Sequence, residues 1–414
     1  MSDQYNTVVI GGGQSGLSVS YYLKQRSRDH LVFEKATQPG NAWRNDRWDS
    51  FTLNTPNWTF RLPGAEYDGP DPNGFMPRDE IVTCFEQYID RFALPVHFGV
   101  NVLSVEHTHQ GYLVSTDHGS YLAEHVVIAT GLFQQPKIPA YSADLHGSIL
   151  QIHSGQYRNP AALPPGAVLV VGSGQSGCQI AEELYQAGRK VYLSVGSAGR
   201  APRRYRGRDI FEWLNLSGFL DRSPDKLPSP QARFAGNPQL SGNNGGHDLN
   251  LHQFYRDGVV LLGRLQGIEN GFLSLAPDLK ENLTKADKLE SEIVNLVDGY
   301  IAEHGIDAPE DHLLAIRDGF SAEEIQSLSL DEANITTIIW ATGYRFDFSL
   351  VKLPIFDEAG YPQTERGIAH YPGLYFVGLP WLISQKTGLL LGVGEHAAYI
   401  AAHIAAHVCS QISH

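Results

Sequence analysis

Val8-Val9-Ile10-Gly11-Gly12-Gly13-Gln14-Ser15-Gly16 and, far downstream, Val168-Leu169-Val170-Val171-Gly172-Ser173-Gly174-Gln175-Ser176-Gly177 read as one device written twice. Each opens on an apolar run, as a buried strand does, and passes through G-x-G-x-x-G into a helical stretch. Glycines at that spacing let a strand turn sharply into a helix, so that the backbone approaches a pyrophosphate seated on the helix N-terminus. One such motif is a weak signal. Two, each in strand–turn–helix context and about a domain apart, imply two dinucleotides on one polypeptide. That pairing points to a flavin and a nicotinamide exchanging a hydride.

The bulk numbers narrow the class. The chain has 414 residues, enough for two or three domains, with 42% apolar and 18% charged residues, as in an ordinary soluble enzyme. A net charge of −14 argues against nucleic acid or an anionic membrane as partner. No apolar run is long enough to predict a spanning helix. Met1 to Asn6 run straight into the first strand, so no signal peptide and a cytoplasmic location are expected. The three cysteines, Cys84, Cys178 and Cys409, form no C-x-x-C pair, which removes a disulfide relay as the redox centre. Cys178 reads as a small packing residue.

In the first unit, Gly16 to Gln25 is the expected helix and His30 to Glu34 the second strand. Gly11, Gly13, Gln14, Ser15 and Gly16 form the expected phosphate turn. Glu34 closes the second strand, where a carboxylate accepts hydrogen bonds from a ribose hydroxyl. That suits FAD or NAD(H) and not a 2′-phosphate. Residues 41–80 are irregular and dense in Trp, Pro, Asn and Gly, as a ligand-wrapping segment is. Val126 to Gly131 is an apolar strand ending in Ala-Thr-Gly, and residues 134–139 are the expected exit linker.

The second unit begins near Ala167, with a helix from Gln175 to about Ala187 and a strand over Val191–Ser194. Gly172, Gly174, Gln175, Ser176 and Gly177 form its phosphate turn. Ser194 stands where an NAD site presents an acid, and Arg200, Arg203, Arg204, Arg206 and Arg208 follow with no acidic residue before Arg208. Guanidinium groups there suit a 2′-phosphate, so NADPH is expected, read by Arg203 and Arg204. Residues from about 205 to 334 are an insertion, with loop over 223–250 and a long amphipathic helix over 281–304. Ile338 to Tyr344 is a second strand ending in Ala-Thr-Gly and is taken as the return to the first unit. A further strand ends in Gly378, whose neighbourhood directs backbone amides at a flavin edge. His403 and His407 read as packing histidines and not as a metal pair.

The expected fold is therefore α/β, with two Rossmann-like dinucleotide-binding domains. Residues 1–150 and 335–414 form an FAD domain, and 151–334 an NADPH domain carrying the insertion.

These residues resemble the flavin-dependent class B monooxygenases: flavin-containing monooxygenases, N-hydroxylases, Baeyer–Villiger enzymes and bacterial relatives described as FAD/NAD(P)-dependent oxidoreductases. The resemblance runs over nearly the whole chain. It rests on Gly11–Gly16, Phe33-Glu34-Lys35, Gly40-Asn41-Ala42-Trp43-Arg44, Ser50 to Phe60, both Ala-Thr-Gly strand ends and Gly172–Gly177. It implies that Lys35, Trp43, Arg44, Thr130, Gly131, Thr342 and Gly343 lie on the cofactors. It also implies that Asn54, in Ser50-Phe51-Thr52-Leu53-Asn54-Thr55, faces the flavin and holds a peroxyflavin toward substrate. One family fingerprint departs: Leu145-His146-Gly147 replaces Phe-x-Gly and His153 follows two residues late, so no catalytic role is carried to His153.

The reading is a single-component monooxygenase using FAD, NADPH and O2 through a C4a-(hydro)peroxyflavin, oxygenating a small molecule at N, S or a carbonyl. A homodimer is the prior expectation for such an enzyme. Two alternatives share the same nucleotide sites: an NADPH oxidase or flavin reductase without oxygen insertion, and a redox-sensing FAD/NADPH-binding protein.

Overall fold

The two glycine turns head two separate parallel sheets. The computed structural model of the protein describes residues 3–236 and 238–407. In the first sheet, β1 (Asp3–Ile10) turns into α1 (Gln14–Gln25) and returns as β2 (His30–Glu34). Helix α2 (Arg78–Phe92) leads to β3 (Val96–Phe98), and β4 (Gly119–Ile128) completes the early strands. They pair in parallel in the order β4-β1-β2-β3, and Leu374–Phe376 adds in parallel beyond β4. Val8, Val9, Val126 and Val127 are fully buried, as central parallel strands covered on both faces require. A meander of Val102–Thr108 and Gly111–Thr116 runs antiparallel into the start of β4.

The second sheet uses β5 (Leu150–His153), β6 (Ala167–Val171), β7 (Val191–Ser194), β8 (Val260–Leu262) and β9 (Ile335–Trp340). Helix α3 (Gln175–Gln186) joins β6 to β7. All five strands are parallel, in the order β5-β9-β6-β7-β8. This corrects one boundary. The sequence reading returned the chain to the first unit at residue 335, yet β9 pairs with both β5 and β6, with Val171 opposite Trp340. Its apolar run is that of a strand buried inside the second sheet. The crossing comes after it, where Tyr344–Arg345 pairs antiparallel with Gln135–Pro136. The outgoing and returning linkers thus lie side by side.

The insertion carries the expected long helix, α4 (Leu279–His304), ended by Gly305 at φ +60°. Its Ile293, Val297 and Ile301 pack on Ile210, Trp213 and Leu214. A small antiparallel sheet of Leu265–Glu269, Phe272–Leu275 and Ser327–Ser329 completes it. Helix α5 (Val393–Ala406) returns to the first unit and seals α1 through Val19, Leu23, Ala397, Ile400 and Ile404. Cys178 is buried in α3, its thiol pushed far up by desolvation, as a packing residue is. Cys409 lies outside the described residues. His403 stacks on His407 and bonds the Tyr375 hydroxyl. Among the described residues no helix is long and apolar enough to cross a membrane.

Candidate functional site

Both glycine turns are built alike, atom for atom, where it matters. Gly11 has φ +111°, and a Cβ there would stand 2.4 Å from the Ala129 carbonyl oxygen. Gly172 has φ +107°, and its Cβ would stand 2.5 Å from the Ala341 carbonyl oxygen. A Cβ on Gly16 or Gly177 would lie 1.9 Å from the carbonyl oxygen of Gly11 or Gly172. The glycines are thus demanded by backbone meeting backbone. Gly13 and Gly174 differ: both are extended, and a Cβ on either meets nothing within 4 Å. No side chain caps α1 or α3, so the first amides of each helix remain available to an anion. Each turn has the backbone shape that a pyrophosphate fits.

The match extends to the neighbouring strands. Ala129-Thr130-Gly131 ends β4 beside the first turn, and Ala341-Thr342-Gly343 ends β9 beside the second. Each Ala-Thr-Gly belongs to its own glycine turn, which is the physical reason the second does not mark a return to the first unit. Thr130 Oγ1 and the Gly131 carbonyl both accept from Gln134 Nε2 at 2.8 and 2.9 Å. Thr342 Oγ1 donates to the Lys137 carbonyl, and the Gly343 carbonyl accepts from the Lys137 amide and from His153. Burial holds the His153 pKa down, and its Nδ1 accepts from Gly155 N–H, so the ring carries its proton on Nε2 for the Gly343 carbonyl. His153 is a brace at the crossing.

At the first turn, Glu34 Oε2 accepts from the Gly12 amide at 2.7 Å and Oε1 from the Ala36 amide at 2.8 Å. That fixes the carboxylate at the rim with lone pairs to spare. Gly378, at φ +77°, lies so close to Ser15 that a Cβ would sit 2.0 Å from its Oγ, which brings these two expected residues together. Gln14 Nε2 donates to the Gly388 carbonyl at 3.0 Å. Lys35 is exposed, Arg44 pairs with Glu86 at 2.5 Å, and Trp43 packs on Phe51. Sequence reading missed Arg47. Its guanidinium lies 4.8, 5.3 and 5.6 Å from the rings of Phe133, Phe51 and Trp43, with no carboxylate in ion-pair range among the described residues. Burial pulls its pKa down. Its only signal in sequence was a cation within the aromatic-rich 41–80 stretch.

At the second turn, three expectations change. The Ser194 hydroxyl is buried, donating to the Gly263 carbonyl at 3.1 Å and accepting from the Leu265 amide at 3.0 Å. It pins the strand end and is not open to a ligand. Arg203 is buried, paired with Asp209 at 2.6 Å, and lies against Phe75 and Phe211, so its guanidinium is committed to protein partners. Most of the arginine cluster is paired by acids: Arg200 with Asp287 and Glu290, Arg206 with Asp298, and Arg208 with Glu212. The acids lie mostly far along the chain, which is why local sequence showed a bare basic run. Arg204 alone of the five is exposed with only carbonyl partners, those of Gly245 and Gly246. Ser176 is half-buried in the first turn of α3, and Gln175 Nε2 donates to the Leu240 carbonyl.

Asn54 stands where the units meet. Its Oδ1 accepts from Gln179 Nε2 of α3 at 2.7 Å, and its backbone carbonyl accepts from Arg203 Nη1 at 2.8 Å. The loop at 239–248 covers this segment. Asn243 Oδ1 accepts from Thr52 Oγ1, and a Cβ on Gly242 would lie 1.9 Å from the Leu53 carbonyl oxygen.

Comparison with known proteins agrees with this architecture. A family model described as pyridine nucleotide-disulphide oxidoreductase matches residues 8–210, which include both glycine turns. A CzcO-like oxidoreductase of Geobacillus kaustophilus is 32% identical over 400 residues, covering 95% of this chain and 97% of its own. The probable indole-3-pyruvate monooxygenase YUCCA3 of Arabidopsis thaliana is 27% identical, covering 90% of this chain and 81% of its own. A flavin-containing monooxygenase from Stenotrophomonas maltophilia has the same mixed α/β fold, with a TM-score of 0.65 over 98% of this chain and 99% of that one at 21% identity. By its near-full-length likeness to the first of these, the chain belongs to the family of CzcO-like oxidoreductases.

Proposed function

We propose that this oxidoreductase is a single-component FAD-dependent monooxygenase that uses NADPH and O2 to oxygenate a small molecule at N, S or a carbonyl. Residues 1–149 with the chain beyond the second crossing form the Rossmann-like FAD domain, and Leu150 to Trp340 the NADPH domain with its insertion. The observation that carries the reading is the repeated cradle. Gly13 and Gly174 open into space at two uncapped helix N-termini, with Asn54 held between the units. Both groups fit the residues present. Gly11, Gly13, Gly16 and Glu34 would hold the FAD diphosphate and ribose; Gly172, Gly174 and Gly177 would hold the nicotinamide dinucleotide.

When bound, the flavin supplies the redox chemistry, taking hydride from NADPH and activating O2. The protein's part is to bind, orient and keep the site dry. Asn54 Nδ2 has no protein partner among the described residues and is the donor that orients bound oxygen toward substrate. The 239–248 loop packs on Leu53 and Phe75 beside it, and its part in this reading is to limit the access of water. Arg204 reads the 2′-phosphate, exchanging two carbonyl partners for a charged one.

The test is to reduce the purified holoenzyme with NADPH without oxygen, admit oxygen, and measure peroxide against product for amines, sulfides and ketones. Product matching NADPH consumed supports oxygen insertion. Stoichiometric peroxide whatever is added makes the protein an oxidase, and failure to oxidise NADPH makes it a sensor.

A further inference from the structure

The Asn54 amide is held from behind by the helix of the other nucleotide turn. Gln179 lies one turn into α3, buried at 2% exposure, and its Nε2 donates to Asn54 Oδ1 at 2.7 Å. That donation turns both N–H groups of Asn54 Nδ2 away from Gln179. The opposite arrangement is costlier. Gln179 Oε1 is buried with no partner, and turning the amide over would put a two-donor NH2 group in its place. Orphaned buried N–H groups are rarer than under-used carbonyls because they forfeit more hydrogen bonding. On the main-chain side, Arg203 Nη1 grips the Asn54 carbonyl while its Nη2 is fixed on Asp209. Backbone and side chain of Asn54 are therefore both anchored to the second unit, one to the arginine-rich loop that leads into the insertion and one to α3.

We propose that Gln179, assisted by Arg203, is the positioning residue that turns the Asn54 amide so that Nδ2 faces the bound flavin, tying that donor to the helix headed by Gly172–Gly177. This rests on the reading of Asn54 given above. It adds a reason for building the donor at the junction. A nucleotide on the second turn orders the start of α3, and the same helix one turn later fixes the donor that works on the first cofactor.

The experiment uses the holoenzyme and four variants: Asn54→Ala, Gln179→Met, Gln179→Glu and the double variant Asn54→Ala with Gln179→Met. Two readouts are taken beside the melting temperature: the visible absorption spectrum of the bound oxidised flavin, and the rate of peroxide release with NADPH and O2 in the absence of substrate. Gln179→Met keeps the length of the side chain and removes the donor. It is expected to shift the flavin spectrum in the same direction as Asn54→Ala and raise peroxide release roughly fivefold, the equivalent of one neutral hydrogen bond. The double variant is expected to add nothing to Asn54→Ala, because both act through one amide. Gln179→Glu, whose carboxylate only accepts, turns Asn54 over and is expected to match Asn54→Ala; it also serves if Gln179→Met folds poorly.

If Asn54→Ala changes both readouts while both Gln179 variants change only the melting temperature, Gln179 is structural and the proposal is wrong. If Asn54→Ala itself changes neither, the placement of Asn54 at the flavin fails, and this inference with it.

Discussion

Arg203 and Asn54 are joined across the two units, Nη1 of the arginine donating to the backbone carbonyl of the asparagine at 2.8 Å. The guanidinium is buried and pairs with a buried Asp209, and desolvation holds its pKa down in spite of that partner. Removing one member of such a pair strands the other charge, at a cost of about 3–5 kcal/mol. Arg203→Ala is therefore expected to lower the free energy of unfolding measured in urea by that amount and to weaken NADPH and NADH alike. A selective rise in the NADPH KM would mean that the side chain reaches the 2′-phosphate.

Arg204 carries the opposite expectation. It is exposed and holds only the carbonyls of Gly245 and Gly246. Arg204→Ala should leave stability within about 0.5 kcal/mol of the parent, as surface changes do. It should raise the NADPH KM about tenfold while leaving the NADH KM nearly unchanged, the loss of a charge-assisted bond. Equal changes for the two nucleotides would remove Arg204 as the reader.

The glycines divide into two kinds that mutation separates. A Cβ on Gly16 or Gly177 runs into backbone at 1.9 Å, so Gly16→Ala and Gly177→Ala should destabilise the protein by more than about 1 kcal/mol before any ligand is considered. Gly13 and Gly174 have ordinary extended angles and open space. Gly13→Ala should leave the melting temperature of the apoprotein unchanged yet strip FAD on purification, and Gly174→Ala should raise the NADPH KM with FAD retained. Full retention of both cofactors would place the diphosphates elsewhere.

Much of this was legible in the sequence because its signals are local. A buried apolar strand, a glycine turn and a helix declare themselves within about 20 residues, and His30–Glu34 and Val191–Ser194 fall where the pattern put them. What failed was non-local. The Ile335–Trp340 strand reads equally well as either sheet's, and only its register against Val168–Val171 decides. The arginine run looked free because the acids that pair Arg200 and Arg206 lie on α4, some 90 residues away. A purely sequence-based rule was nonetheless at hand: two glycine turns and two Ala-Thr-Gly strand ends form matched pairs, one per sheet. The Asn54–Gln179 contact had no such signal, since nothing in either segment names the other.

The loop that covers Asn54 should respond to pH through His247. Its Nε2 meets Glu182 Oε1 of α3 at 2.8 Å and its Nδ1 meets the Asn243 carbonyl at 3.1 Å. Both partners are acceptors, so only the doubly protonated ring satisfies both; the neutral ring has one N–H and must give up one contact. Accordingly the His247 pKa is raised, chiefly by the hydrogen bond to Glu182, with the Asp248 carboxylate adding to it and burial opposing. A folded-state pKa above the unfolded one means the stabilisation is fully present below the ordinary histidine value, about 6.5, and is lost as pH rises through the folded value. The 239–248 loop should therefore close most firmly in mild acid and loosen toward alkaline pH. The rate of peroxide release without substrate should climb across that interval as water gains access, and amide exchange in the loop should quicken with it beyond the intrinsic pH dependence. His247→Gln removes the titrating group and should flatten both profiles. A parent profile already flat from mild acid to alkaline pH would show that Glu182 and His247 do not latch the loop.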